Sequence, residues 1–532
     1  MKRVAPGPDS TIVFVAKKIR TQNFQKPFAQ AIAWKHGKIL ASGTEREVLA
    51  VAGGDAIVER FPDAVIIPGL VDAHAHVESL GRSLSTVSLF EATSEADAVE
   101  RVQAAPKTAF QGEWLIGRAW DQNDWPGQQF PSRATLDAVF PKTPVWLTRV
   151  DGHAAWVNSA ALERAGITAK TPDPEGGQII RDAKGEPTGV LIDNAMDVVG
   201  AKIPLPSDEE LQRRLKLALE TCARLGLTQV HDAGMDMRTF RQLQTWDMVG
   251  SLPVRLYVMA DGQGAEADAW LGLGTFSGRL LEMKAVKLYV DGALGSRGAL
   301  LHAPYSDEPA RSGLALISTV AFEAKAKAFN ERGFQVAVHA IGDKANTIAL
   351  DVLSGLDRKL RHRIEHAQIL RAEDVERFAK SGIIASFQPT HATSDMPWAE
   401  KRVGAERIKF AYAWRSLLDS GAHVAFGSDF PVEDPDPRLG LYAARTREDL
   451  KGQPPGGWKP EQKLTGEEAL AGFTSGAAYA AFAEDRRGQL REGFDADFVV
   501  LSADPVEVDP KEVPNLKVLI TVVNGVDVFR AP

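Results

Sequence analysis

Two histidines one residue apart, His74 and His76, close the stretch Pro68-Gly69-Leu70-Val71-Asp72-Ala73-His74-Ala75-His76. The apolar run Ala64-Val65-Ile66-Ile67 before it reads as a buried strand, Pro68 and Gly69 interrupt it, and Leu70-Val71 resumes it. Residues i and i+2 of a strand share a face, so the two imidazoles project together near the strand's end and could share one metal ion. Alone, such a pair reads more readily as two ordinary loop histidines. Later apolar runs change that reading, because they end in the same residue types: Val338-His339, Ile364-Glu365-His366 and Gly427-Ser428-Asp429. One such residue is usually packing; four or five at successive strand ends are hard to explain that way. Neutral imidazoles and a carboxylate suit zinc best, with iron, manganese, cobalt and nickel as alternatives.

Lys287, inside Val286-Lys287-Leu288, poses a separate question. An ammonium has three donors and no acceptor, so it cannot ligate a cation. If it lost its proton and took up CO2, the resulting carbamate would have the shape of a carboxylate and could bridge two metals. The other reading pairs Lys287 with Asp291 or another acid.

These residues need elements to bring them together. From Ile66 to about Phe482, strand-like runs alternate with helical patterns: Thr228–His231, Val254–Val258, Ala285–Val290, Gln335–His339, Arg363–His366, Ile383–Phe387 and Val424–Asp429. With the opening strand this makes eight, and the alternation predicts an α/β fold, most simply a closed (β/α)8 TIM-like barrel over residues 66–482. An open doubly wound sheet is the alternative, but no glycine-rich phosphate loop follows a strand. Residues 84–202, rich in Trp, Pro and Gly, break the rhythm and read as an insertion after strand 1, near the active site. Short strands mark both chain ends, and residues 1–65 and 483–532 together predict one β-sandwich.

The motifs resemble those of the amidohydrolase superfamily: Pro68 to His76, Val338-His339-Ala340-Ile341-Gly342-Asp343, Glu365-His366-Ala367 and Gly427-Ser428-Asp429. Further stretches are similar to its YtcJ-like branch, which includes N-substituted formamide deformylases. These are Arg149 to Ser159, Val230-His231-Asp232-Ala233-Gly234, Lys287 to Ser296, Phe387-Gln388-Pro389-Thr390-His391 and Gly488 to Val499. The resemblance runs nearly end to end. It implies a metal-dependent hydrolase in which His74, His76 and Asp429 bind a first divalent ion and His339 and His366 a second, with Lys287 as a bridging carbamate. One ion or two is left open. The expected reaction is hydrolysis of an amide-type C–N bond in an N-acyl or N-formyl small molecule. Asp429 would take the proton of the attacking water and pass it to the leaving nitrogen. An esterase, lactonase or deaminase on the same site is the nearest alternative, and a non-catalytic metal-binding protein the alternative of another class.

Residues beyond the ligands receive supporting roles. His153 and Trp156 in the insertion, and His391 after the seventh run, could hold substrate; Trp120 could line an apolar pocket with them. His231 ends a strand-like run and would stand behind the ligands, while Asp343 would orient a neighbouring histidine or its loop. The 532 residues carry a net charge of −8, which gives no case for nucleic acid or an anionic membrane. No apolar run approaches the ~20 residues of a membrane span. The lone cysteine, Cys222, excludes an internal disulfide and a cysteine-based zinc site. The partner implied is a small-molecule substrate, and a homo-oligomer stays open. The N-terminus has basic residues without an apolar core, so the expectation is a cytoplasmic protein, or an exported one whose signal peptide has been removed.

Overall fold

The computed structural model describes residues 9–150, 152, 154–174 and 177–532. The chain forms two compact units. One runs to His76 and resumes at Leu219; the other is Val77–Ala218.

The first unit holds eight parallel strands: β1 (Leu70–Ala75), β2 (Leu227–Met235), β3 (Arg255–Asp261), β4 (Leu281–Tyr289), β5 (Gln335–Ala340), β6 (Arg363–His366), β7 (Ile384–Phe387) and β8 (Val424–Phe426). Each pairs with the next in sequence, from β1 to β8. Helices such as Met237–Met248, Thr319–Glu331, Asp343–Leu353 and Ala372–Ser381 make the crossovers that parallel pairing requires. The strands are buried on both faces, hence their apolar, β-branched texture. The seam between β8 and β1 is closed beyond the ladder itself. Asp429 N donates to His74 O at 2.7 Å and His76 N to Phe430 O at 2.9 Å. The Asp72 carboxylate accepts from Ser428 N at 3.0 Å and from Ser428 Oγ at 2.6 Å. The eight strands are thus the TIM-like barrel that the alternation predicts.

Both chain ends build a second, seven-stranded sheet in the order Val526–Arg530, Val518–Val523, Phe498–Leu501, Ile57–Pro68, Ile12–Arg20, Phe28–Lys35, Lys38–Gly43. It folds over its own inner face. Phe498 and Trp34 lie three strands apart, a distance of about 14 Å in a flat sheet, yet their rings are 5.1 Å apart and meet Phe14 in one aromatic core. The run Ala64–Ile67 belongs to this sheet rather than to the barrel: Val65, Ile66 and Ile67 pair with Leu501, Val500 and Val499. The chain passes from sheet to barrel at Gly69, where a Cβ would collide with the Thr228 side chain.

The second unit has its own sheet, centred on Trp114–Trp120, Val145–Arg149 and Ala154–Val157. Trp120, Trp125 and Trp156 cluster there with ring centroids 6.1–6.4 Å apart. Their indole N–H groups donate to Leu147 O, Ala92 O and Ser132 O.

Candidate metal centre

β1, β4, β5 and β6 end at one mouth of the barrel, together with the turn after β8, and each delivers one or two of the expected ligands. The ring of His366 lies 4.7 Å from that of His74 and 4.6 Å from that of His339, centroid to centroid. His74 Nε2 and His76 Nε2 stand 3.6 and 3.1 Å from Asp429 Oδ1. One ligand atom each from His74, His366 and Asp429 fall within 4.8 Å of one another. His366 and Asp429 reach this position with φ of 74° and 62°, a left-handed backbone that non-glycine residues rarely adopt.

The donor set fits a divalent ion. His74 Nδ1 donates to Glu365 Oε2 at 2.6 Å and His366 Nδ1 to Gln388 Oε1 at 2.7 Å, leaving the Nε2 lone pair of each ring to the cluster. Asp429 Oδ1, His339 Nε2 and His391 Nε2 are buried and have no hydrogen-bond partner among the described residues. Groups so placed are costly without a partner such as a metal. Burial pushes His74 down to about 4 and His339 to about 3. Neutral imidazoles are the ligating form. Burial opposes ionisation of Asp429, but His76, with Nε2 3.1 Å from Oδ1, outweighs it and holds the carboxyl well below its ordinary range.

Lys287 is fully buried on β4, with Nζ 3.2 Å from His74 Nε2 and 4.9 Å from the centre of the Tyr289 ring. Burial lowers it to about 8 against the pull of Glu365 and Asp429. It does not pair with Asp291. That carboxylate accepts from the backbone N–H groups of Leu300, Ile341 and Gly342 and faces His339 Nε2 at 3.7 Å.

Other expected residues divide. His391 stacks on His366 at 5.9 Å, with Nε2 3.7 Å from Asp429 Oδ2. His231 lies deeper in the barrel, where its Nδ1 accepts from Arg363 Nη1 at 3.1 Å. Asp343 does not reach a ligand histidine: its Oδ1 accepts from His302 N at 2.9 Å and holds the loop, while Asp291 takes the place beside His339. Trp120 and Trp156 are corrected from substrate contacts to core residues, since both are fully buried with their indole N–H groups satisfied by backbone. His153 lies outside the described residues.

Two residues with no role assigned from sequence prove central. Glu365 and Arg363 share the inward face of β6. Arg363 Nε donates to Glu365 Oε1 at 2.7 Å, and its Nη2 to Ala73 O at 2.7 Å and to Ser386 Oγ at 3.0 Å. Burial opposes the charge of Glu365, but Arg363 and His74 hold it well below the ordinary carboxylate range. The sequence shows two opposite charges at i and i+2 in one strand, a pattern that by itself reads as a solvent-facing side.

Comparison with known proteins agrees with this geometry. The model of the amidohydrolase family matches residues 63–529. The chain belongs to the amidohydrolase family. This amidohydrolase is 36% identical to the putative amidohydrolase YtcJ of Bacillus subtilis (strain 168), over 94% of the chain and 96% of that protein. It is 28% identical to the N-substituted formamide deformylase of Arthrobacter pascens, over 97% of each. An uncharacterized metal-dependent hydrolase from Pyrococcus horikoshii OT3 superposes with a TM-score of 0.80 and 28% identity, covering 94% of this chain and 99% of that one. Membership places the amidohydrolase among the metal-dependent hydrolases and implies a divalent metal. Every residue of the centre lies inside the matched region. Among the described residues, no helix is long and apolar enough to cross a membrane.

Proposed function

We propose that this amidohydrolase hydrolyses an amide-type C–N bond, other than a peptide bond, in an N-acyl or N-formyl small molecule, with zinc as its metal. The convergence of His74, His76, His339, His366 and Asp429 on one barrel mouth carries the reading. The likeness to a protein named N-substituted formamide deformylase favours the formyl case. His74 and His76 with Asp429 would hold one ion, and His339 with His366 a second. Bound there, a divalent ion lowers the pKa of a water and polarises a carbonyl oxygen.

The chain's own groups do the rest. Asp429, with one oxygen toward His76 and the other toward His391, accepts the proton of the attacking water and returns it to the leaving nitrogen. His391 supports the carboxylate from the side opposite His76 and faces the substrate. Lys287, as a carbamate, would supply a further carboxylate-type ligand to the metal; its burial and its Nζ beside His74 support that assignment.

The test couples metal analysis to a hydrolysis screen over N-formyl and N-acyl amines with matched esters. The expected outcome is bound zinc, amide turnover that a chelator abolishes and zinc restores, and loss of metal in Lys287→Ala with partial rescue by a short carboxylic acid. Metal-free purified protein, or esters cleaved in preference throughout the panel, would refute it.

A further inference from the structure

Tyr289 is the last residue of β4, two positions beyond Lys287 and on the same inward face. Residues Ala285 to Leu288 are buried, whereas Tyr289 is partly exposed, so it stands where the strand meets the open mouth. Its ring centre lies 5.8 Å from that of His339, its register partner on β5, and 4.9 Å from Lys287 Nζ. The backbone there is held on both sides. Tyr289 N donates to Gln263 Oε1 at 2.9 Å, and the next residue, Val290, donates its N–H to His339 O at 3.0 Å.

The hydroxyl has room and no partner. Near the end of β2, Gly234 has a φ of 91°, and a Cβ there would lie 2.7 Å from the Tyr289 hydroxyl oxygen. Glycine at this position therefore leaves the phenol its space. Among the described residues the hydroxyl makes no hydrogen bond. Other polar side chains at the mouth are committed elsewhere. Glu365 and Gln388 turn His74 and His366 so that Nε2 of each faces the cluster, and His391 Nε2 faces Asp429. A phenol, with an ordinary pKa of about 10, keeps its proton at neutral pH, so Tyr289 brings an O–H donor to the centre.

We propose that Tyr289 is a catalytic residue whose O–H donates a hydrogen bond to the carbonyl oxygen of the substrate as negative charge develops there. The assignment rests on reading the centre as an amide hydrolase. As the water oxygen adds to the carbonyl carbon, with its proton taken by Asp429, the π pair of the carbonyl moves onto the carbonyl oxygen. Tyr289 hydrogen-bonds to that oxygen and keeps its own proton. When the pair returns, the C–N bond breaks and the nitrogen takes the proton from Asp429. A donor aimed at the developing charge favours the transition state over the ground state, and removing one typically costs about 10²–10³-fold in kcat.

The test compares zinc-loaded wild type with Tyr289→Phe, which keeps the ring against His339 and removes only the hydroxyl. Zinc content and melting temperature should match. On an N-formyl amine, kcat should fall by about 10²-fold while KM stays within about twofold. Calorimetry then compares two probes: the matching alkylphosphonate, a tetrahedral anion that mimics the charged adduct, and the planar, neutral N-alkylurea. Tyr289→Phe should weaken the phosphonate by about the factor lost in kcat and leave the urea nearly unchanged. An unchanged kcat, or an equal loss for phosphonate and urea, overturns the proposal. No amide turnover by wild type, with phosphonate binding still dependent on the hydroxyl, would refute the hydrolase reading and leave the hydrogen bond to a tetrahedral oxyanion standing.

Discussion

The lone pair that His74 would offer to a metal is set from behind. Glu365 holds the opposite ring nitrogen at 2.6 Å, and Arg363 holds Glu365 at 2.7 Å, all three fully buried. A carboxylate in that position fixes the tautomer and raises ligand basicity, and its loss typically costs 10–100-fold in metal affinity. Glu365→Gln keeps the shape and removes the charge, so zinc affinity, read by competition with a chromophoric chelator, should fall by about that factor while the protein stays folded. An unchanged affinity would show that Glu365 only supports the barrel. The histidines and Asp429 were legible in the sequence because their types are uncommon at the ends of apolar strands. Arg363 and Glu365 were not, because charges at i and i+2 ordinarily mark a strand's solvent face. Only barrel closure makes that face interior. Trp120 and Trp156 mislead for a similar reason: tryptophan suits a pocket wall and a core equally, and composition does not separate them.

The eight barrel strands were visible as apolar runs, but their seam was not, because it depends on groups outside the ladder. Asp72 joins β1 to the turn after β8 through Ser428, and Gly427 sits where a Cβ would run into Asp72 Oδ1 and lie 2.5 Å from His74 N. The glycine there is needed for close approach of two strands, not for an unusual φ. Gly427→Ala should force the strands apart, lowering the melting temperature by several degrees and reducing metal content in the same protein. A variant with normal stability and full metal would show that the seam yields without cost. The join at Gly69 was also hidden. Ile66 and Leu70 read as one interrupted strand, yet they belong to different sheets.

Across the whole first unit, a buried set of charges ties the foot of the barrel to the sheet made by the chain ends. Arg255 on β3 donates to Asp497 at 2.6 Å, and Glu282 on β4 accepts from Arg486 and Arg487 at 2.8 and 2.9 Å. Burial disfavours the Glu282 charge, but the arginines and Lys284 prevail and lower it to about 2. A carboxylate depressed in the folded state stabilises above its ordinary value, near 4.5, and that gain fades as pH falls toward 2. The contribution is about 3 kcal/mol at most. Glu282→Gln should therefore melt below wild type at pH 7, with the gap narrowing from pH 4.5 downward; a gap independent of pH would contradict this. The sheet itself has a consequence in time. Ile57–Pro68 has the early strand Ile12–Arg20 on one side, but its other side is filled only by Phe498–Leu501. At ribosomal speeds of about 5–20 residues per second, that edge stays open while some 430 further residues are made, roughly 20–90 seconds. Throughout that interval the nascent chain exposes an unpaired, apolar strand edge, the kind other chains can pair with. A short strand near the C-terminus thus decides when the N-terminus of the newborn protein becomes safe from aggregation.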